Sequence, residues 1–586
     1  MSRISVVLLR NALAVAVLWI LPSGGFAQES DKVVEEISEE IGEDGLLTDL
    51  EGEELVSHLQ RLKKHPVNIN SASRAQLQAT LLLTPFQIES ILSRIESSGA
   101  ILSFAELSLL YGFDEKTAEA LRPYIVFGPA ERKPKGFVQD QSTSVYSRYQ
   151  RSFGPAAETH MVRTRFSYLD RLDASVIYKG NSTASGSSSL STASLSYSGI
   201  RLGKLQITRI VIGDFHARFG QGLSAWNGFS FAAASESKGY FRNAEPVSLY
   251  TSSDTSRLLR GAAVSLSWNG LEISGGYSFT NQVSLLRMTY TRKRVRSGLS
   301  FCGKQYEANV LSADLVGGGA GFIAFAEVAC SVLPSGERTA GAFACLGGVS
   351  ADIGKAKVHL LMRSYQDGFT TPVGGAYSSI SRINNQQGLS LRMTVPVYRN
   401  VVLALGSDYT AYPKPRYHVK DPSCALRAYL KLSVDDSGFG TPARNQLWIK
   451  AYFKYDMKAS VPREETSLLS VKAAGNLCLA RHLSLGSRAE YNTLEGRALS
   501  VSVKLQWKLL AFTCGAVAFH VPRWDGRIYF PQAELPYSFS SVLLYGRGMD
   551  AFALVKTRLS RRLSLYLKYQ YNRGKSIVKG ALSADF

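Results

Sequence analysis

The chain has 586 residues, 45% of them hydrophobic and 19% charged, with a mean hydropathy of −0.04, so it is long enough for more than one domain and too polar for a bundle of membrane helices. Beyond the first thirty residues no unbroken apolar run reaches transmembrane-helix length, which leaves a β-barrel or a peripheral protein as the membrane options. The net charge of +20 is unevenly spread: residues 28–60 hold twelve acids and one lysine, −11, whereas residues 128–586 carry +28, which suits a wet lumen lined by Lys and Arg or a path for an anion.

In chain order, Arg3 and Arg10 precede an apolar run from Ala12 to Leu21, followed by Pro22, Ser23, Gly24, Gly25 and the small residue Ala27. This reads as a secretory signal peptide over 1–27, leaving Gln28 as the new terminus, with no Cys there for a lipid anchor. Residues 28–65 form an acidic segment. Val33, Val34, Ile37 and Ile41 are at helical spacing, and the segment suits docking on something basic, of which the nearest example is the rest of this chain.

Residues 66–127 carry Val67-Asn68-Ile69-Asn70-Ser71-Ala72, then Leu77, Ile88, Ile91, Ile95, Gly99, Phe104, Glu106-Leu107 and Tyr111-Gly112-Phe113-Asp114-Glu115-Lys116-Thr117. Asn70 or Ser71 can cap a helix bearing Ala75 and Leu77, and Pro85 and Gly112 suit turns between helix pairs. The pattern resembles the tandem helix-hairpin-helix domain of ComEA-type competence proteins. The resemblance implies a small all-α domain in which Gly-rich hairpins and helix N-termini hold phosphates. DNA contacts would then fall on Thr84, Gly112, Lys116 and Thr117. The first hairpin, Leu83-Thr84-Pro85-Phe86, lacks glycine, and residues 66–127 sum to −2, so docking on a protein or on the chain itself is favoured over DNA.

A charged, proline-bearing linker over 128–141 leads into a region, 142–586, built on one pattern. Leu499, Val501, Val503, Leu505 and Trp507 alternate with Ser500, Ser502, Lys504, Gln506 and Lys508. A strand points successive side chains to opposite faces, so one face is apolar and the other polar. The alternation returns at Leu426–Leu432, Leu447–Lys454 and Leu563–Lys568, in segments of about ten residues separated by Gly/Asn/Asp/Ser turns, as in strands that cross an outer membrane. The expected fold is therefore mainly β: a large transmembrane antiparallel barrel of roughly twenty strands, preceded by the small helical domain.

Gly213–Gly261 is the least periodic part, and Asp214, His216 and Arg218 fall on one strand face there, as a polar cluster or charge ladder inside the lumen. The Gly317-Gly318-Gly319-Ala320-Gly321 run reads as a turn. The six cysteines include no CxxC and no nearby His at metal spacing, and Cys330 and Cys514 share the phase of apolar outward residues. The terminal Phe586, in phase with Leu582 and Ala584, resembles the sorting signal read by the barrel assembly machinery. Taken with the N-terminal module, the chain resembles Gram-negative outer-membrane proteins that join a helix-hairpin-helix domain to a large barrel.

Nucleophile-elbow, HExxH, P-loop and metal-spaced Cys/His motifs are absent, so no catalytic residue, metal or cofactor is expected and the chain does not read as an enzyme. The expected role is an envelope binding, scaffold or transport component in the outer membrane, its helical domain in the periplasm. Lipid, the assembly machinery and an envelope protein are the expected partners, and DNA binding or uptake is the alternative.

Overall fold

The computed structural model describes residues 58–586 apart from 129–140, 154–156, 183–186, 229–238, 334–341, 437–444, 459–463 and scattered single positions. The residues read as a signal peptide and as a linker, most of the acidic segment and the backbone of Thr84 thus lie outside the described residues.

Helices α1 (Arg74–Ala79), α2 (Pro85–Ser98), α3 (Phe104–Ser108) and α4 (Glu115–Ala120) enclose a core that includes Ile69, Leu77, Ile88, Ile91, Leu107 and Leu121. The two ends of this unit meet where Val67–Asn68 pairs in parallel with Ile125–Val126. Asn70 does not cap a helix. Its side-chain amide donates to the Ile101 and Gly128 carbonyls and its carbonyl accepts from the Ile101 N–H, which ties distant turns together. Pro85 opens α2 rather than sitting in the turn before it, a position where its missing N–H costs nothing. Ser103 caps α3 by accepting from the Glu106 N–H at 3.2 Å.

Among the described residues, twenty-four antiparallel strands, from Gln141–Phe153 to Lys575–Asp585, close into one barrel, four more than the periodicity suggests. Where glycine interrupts the apolar pattern, a strand runs further than its sequence suggests. Gly317, Gly318 and Gly319 pair with Ala324, Ile323 and Phe322 as the end of the strand Ala308–Gly319, and Gly321, at φ +85°, has the left-handed conformation of a turn residue. Closure is made by the first and last strands. Ser144 to Phe153 register against Asp585 to Ser576, and Thr143 and Phe586 exchange backbone hydrogen bonds of 3.1 and 2.8 Å.

Connections at the end of the barrel that holds Gln141 and Asp585 are mostly tight turns, such as Asn269-Gly270, whose positive φ at both residues suits the twist of a hairpin. Three long connections, 218–258, 366–385 and 522–545, emerge at the opposite end. Each strand is two-faced. On Val283–Arg292, Leu286, Met288 and Tyr290 are exposed while Leu285, Arg287 and Thr289 are buried. On Arg497–Gln506, Leu499, Val501 and Leu505 are exposed and Ala498 and Ser500 are buried. Val503 shares the outward phase and Lys504 the inward one. Val503→Arg is therefore expected to reduce the yield of folded barrel strongly, since a mid-bilayer cation on the lipid face costs about 2–4 kcal/mol, and Lys504→Ala to change it little. Equal loss of the folded, heat-modifiable band in both variants would refute the face assignment.

All six cysteines are free. Cys330 lies in the phase of exposed Val328, whereas Cys302 is fully buried, in the inward phase of Ser300.

Candidate functional site in the barrel lumen

A barrel of this circumference would enclose a water-filled space if its inner face were only side chains. The long connections fold back into that space. Loop 218–258 enters through a turn in which the Phe219 N–H donates to the Ala225 carbonyl at 2.8 Å, with Gly220 at φ +55° and Gly222 at φ +97°. Glu327, fully buried on the strand Phe322–Val332, fixes this turn: one carboxylate oxygen accepts from the Gln221 N–H at 2.6 Å and the Leu223 N–H at 3.3 Å. A Cβ at position 220 would lie 2.8 Å from that carboxylate, so glycine is required there by space as well as by conformation.

Loop 366–385 lies directly on the first loop. The Trp226 N–H donates to the Val373 carbonyl at 2.8 Å, the Gly375 N–H to the Gly222 carbonyl at 3.0 Å, and the Thr371 hydroxyl to the Ser224 carbonyl at 2.9 Å. Arg242 stacks on Trp226 with its guanidinium 4.9 Å from the ring centre and donates to the Gly375 carbonyl. Apolar side chains of both loops, including Leu223, Ala376 and Ile383, pack on inward-facing Val310, Phe325 and Leu346. Beneath them are two buried ion pairs, Arg287–Asp314 at 2.7 Å and Arg363–Asp408 at 2.9 Å.

The third connection is held separately. Glu534 lies between Lys568 at 2.9 Å and Lys579 at 2.7 Å, while Leu535 and Tyr537 pack on Tyr146, whose ring is 5.0 Å from that of Tyr537. Burial alone would raise the Glu534 carboxyl, but the two ammonium groups outweigh it and pull it down to about 2.

The sequence-derived cluster is present as three buried residues with different partners. Asp214 receives two hydrogen bonds from Arg260, of 2.7 and 3.1 Å, and one from the Ala193 N–H. His216 bonds the Asn227 carbonyl at 3.2 Å and faces the Tyr250 ring at 4.5 Å. Arg218, just past the strand end, reaches the Ser248 hydroxyl at 3.3 Å. These contacts anchor the mouth of loop 218–258.

The helical unit also meets the wall. The Thr117 hydroxyl accepts from Lys357 at 3.4 Å, and α2 lies against the strand Phe322–Val332. His58 is enclosed: burial, helped by Arg61, by Arg218 of the first loop and by Arg165 of the wall, holds its imidazole well below the ordinary value, and its Nε2 bonds the Thr80 carbonyl at 2.8 Å. Gly112 sits in the left-handed region at φ +80°, and its carbonyl accepts from Gln87 at 2.8 Å. The side chain of Lys116 lies outside the described residues.

Sequence reasoning missed Glu327, Arg287, Arg363 and Glu534. The available signal for Glu327 was its phase, a carboxylate opposite outward Ala326 and Val328, but nothing local indicated a loop as its partner. Among the described residues no group of His, Cys, Asp and Glu could hold a metal ion.

No protein-family model matches the chain, and no curated protein matches it. Among solved structures it is similar to the P pilus tip assembly intermediate PapC-PapD-PapK-PapG of E. coli (TM-score 0.46, 10% identity, 78% of this chain and 62% of that chain). It is also similar to the siderophore receptor PirA from Pseudomonas aeruginosa (0.41, 8%, 78% and 81%) and the FrpB iron transporter from Neisseria meningitidis (0.38, 8%, 76% and 82%). At these identities and TM-scores the similarities assign neither cargo nor partner.

Proposed function

We propose that the protein is an outer-membrane barrel that serves transport or binding in the envelope, with a lumen kept closed by its own loops until a cargo or partner displaces them. One observation supports this reading above the others: an apolar exterior on a closed barrel whose interior is occupied by hydrogen-bonded loops. An apolar outward face on strands such as Val283–Arg292 and Arg497–Gln506 suits lipid, and a closed barrel leaves no unpaired edge in the hydrocarbon. Loops joined to the wall through a few buried carboxylates can be held or released as units. Insertion would require the barrel assembly machinery. The helices between Arg74 and Ala120 act as a ComEA-like helix-hairpin-helix module at the periplasmic end, where they take a protein partner or the barrel itself. We assign the chain no enzymatic role.

DNA capture is the weaker reading. Thr117, on the one hairpin that keeps its glycine, already bonds Lys357 of the barrel, and the module carries −2. Full-length protein in detergent is expected to give no gel shift with duplex DNA at physiological salt; tight binding lost on Gly112→Ala or Lys116→Ala would reverse this ranking. The main reading is tested by fractionation: the protein should sediment with outer membranes and migrate faster unboiled than boiled, and recovery as a soluble periplasmic species would eliminate it.

A further inference from the structure

The tight turns at the end of the barrel that holds Gln141 and Asp585 carry exposed cations. Arg171, Lys204, Lys293, Lys355, Lys508 and Arg561 lie one on each of six turns, from the turn after the strand Ala157–Tyr168 round to the turn before Leu563–Asn572. Backbone hydrogen bonds tie such turns to the strands beside them: the Arg171 carbonyl accepts from the Ser198 N–H at 2.8 Å, and the Leu509 carbonyl from the Arg558 N–H at 2.9 Å. Among the described residues no ion pair engages any of the six cations. The loop end differs: there Arg151, Lys304 and Lys414 each lie beside a carboxylate, of Glu158, Glu307 and Asp367 respectively. Exposed aromatic rings, Trp268, Tyr290, Phe322 and Trp507, stand on the outer face close to the tight turns.

Aromatic side chains on the outside of a barrel mark the depth of the membrane interface, and short turns just beyond them reach the headgroups. At that depth phosphate oxygens stabilise a cation through charge-assisted hydrogen bonds, and a long Lys or Arg stem carries the charge to them while its methylenes stay against the apolar face. The placement also selects the kind of partner. A folded protein covers one side of a rim, whereas cations on six turns around the circumference meet a negative surface together only when that surface surrounds the barrel, as a lipid leaflet does. Cations near such a surface act in sum, each within a Debye length, about 10 Å at 0.1 M salt.

We propose that this rim binds the phosphate groups of anionic phospholipids in the adjoining leaflet and selects them over zwitterionic ones. The proposal rests on the membrane reading above and adds to it the class of lipid taken. In the test, the full-length protein is reconstituted in phosphatidylcholine vesicles that carry a trace of spin-labelled phosphatidylglycerol or, separately, of spin-labelled phosphatidylcholine, and the motionally restricted fraction of each label is measured. Phosphatidylglycerol should associate about twofold or more above phosphatidylcholine, and the preference should vanish in 1 M salt, where the Debye length is about 3 Å. Changing Arg171, Lys204, Lys293, Lys355, Lys508 and Arg561 together to Gln should remove it as well, while Lys304→Gln with Lys414→Gln at the loop end should leave it in place. Equal association of the two labels with the parent protein would overturn the proposal, as would a preference that survives 1 M salt or the rim variant, or one that the loop-end variant abolishes. Failure of the parent protein to float with the vesicles would refute the membrane reading itself, whereas a protein that floats but shows no lipid preference refutes this proposal alone.

Discussion

Arg287→Ala should destabilise the folded barrel by about 3–5 kcal/mol, the effect of leaving one partner of a buried ion pair uncompensated. Arg287 donates to both oxygens of Asp314, at 2.7 and 3.1 Å, and to the Ser300 hydroxyl at 2.7 Å, and neither charged side chain has more than slight exposure. Removing the guanidinium leaves a carboxylate sealed beneath the inward-folded loops. The double variant Arg287→Met with Asp314→Leu removes both charges and should recover most of the loss, because apolar replacement of a buried pair is often close to neutral. Urea midpoints of the unboiled gel form in lipid vesicles measure both. A single variant no worse than the double would show that the pair is solvated, and so that the loops do not seal the lumen above it.

Glu327→Ala should open the lumen. Its carboxyl group accepts from the Gln221 and Leu223 N–H groups, and a typical hydrogen bond of this kind contributes about 0.5–1.5 kcal/mol, while a buried donor left without an acceptor costs about 1–3 kcal/mol. The alanine leaves those donors without their acceptor in a buried site and frees the turn on which loop 366–385 rests. Single-channel conductance in planar bilayers should rise above that of the parent, by an amount set by the loop displaced. Glu327→Gln, which keeps a carbonyl acceptor, should give an intermediate value. Conductance in the alanine variant indistinguishable from the parent would place the occluding contacts elsewhere, with the Glu534–Lys568–Lys579 anchor as the next one to break.

The sequence by itself determined the two-faced strands, since side-chain alternation is a local rule with period two. Leu499 and Leu505 outside with Ala498 and Ser500 inside could be read from ten residues without knowing any neighbour. It also marked the odd stretch Gly213–Gly261, through its lack of period. The tertiary structure alone decided what that stretch does. Glu327 meets Gln221 across 106 positions and Trp226 of one loop meets Val373 of another, and no local pattern encodes a partner at such a separation. Strand ends belong to the same class: glycines such as Gly317 and Gly318 weaken the periodic signal, yet they are held in the sheet by pairing with neighbouring strands. Asp214, His216 and Arg218 were visible as inward polar residues, but their division among Arg260, the Asn227 carbonyl and Ser248 follows from where the returning chain lies, and that is fixed only when the barrel closes around it.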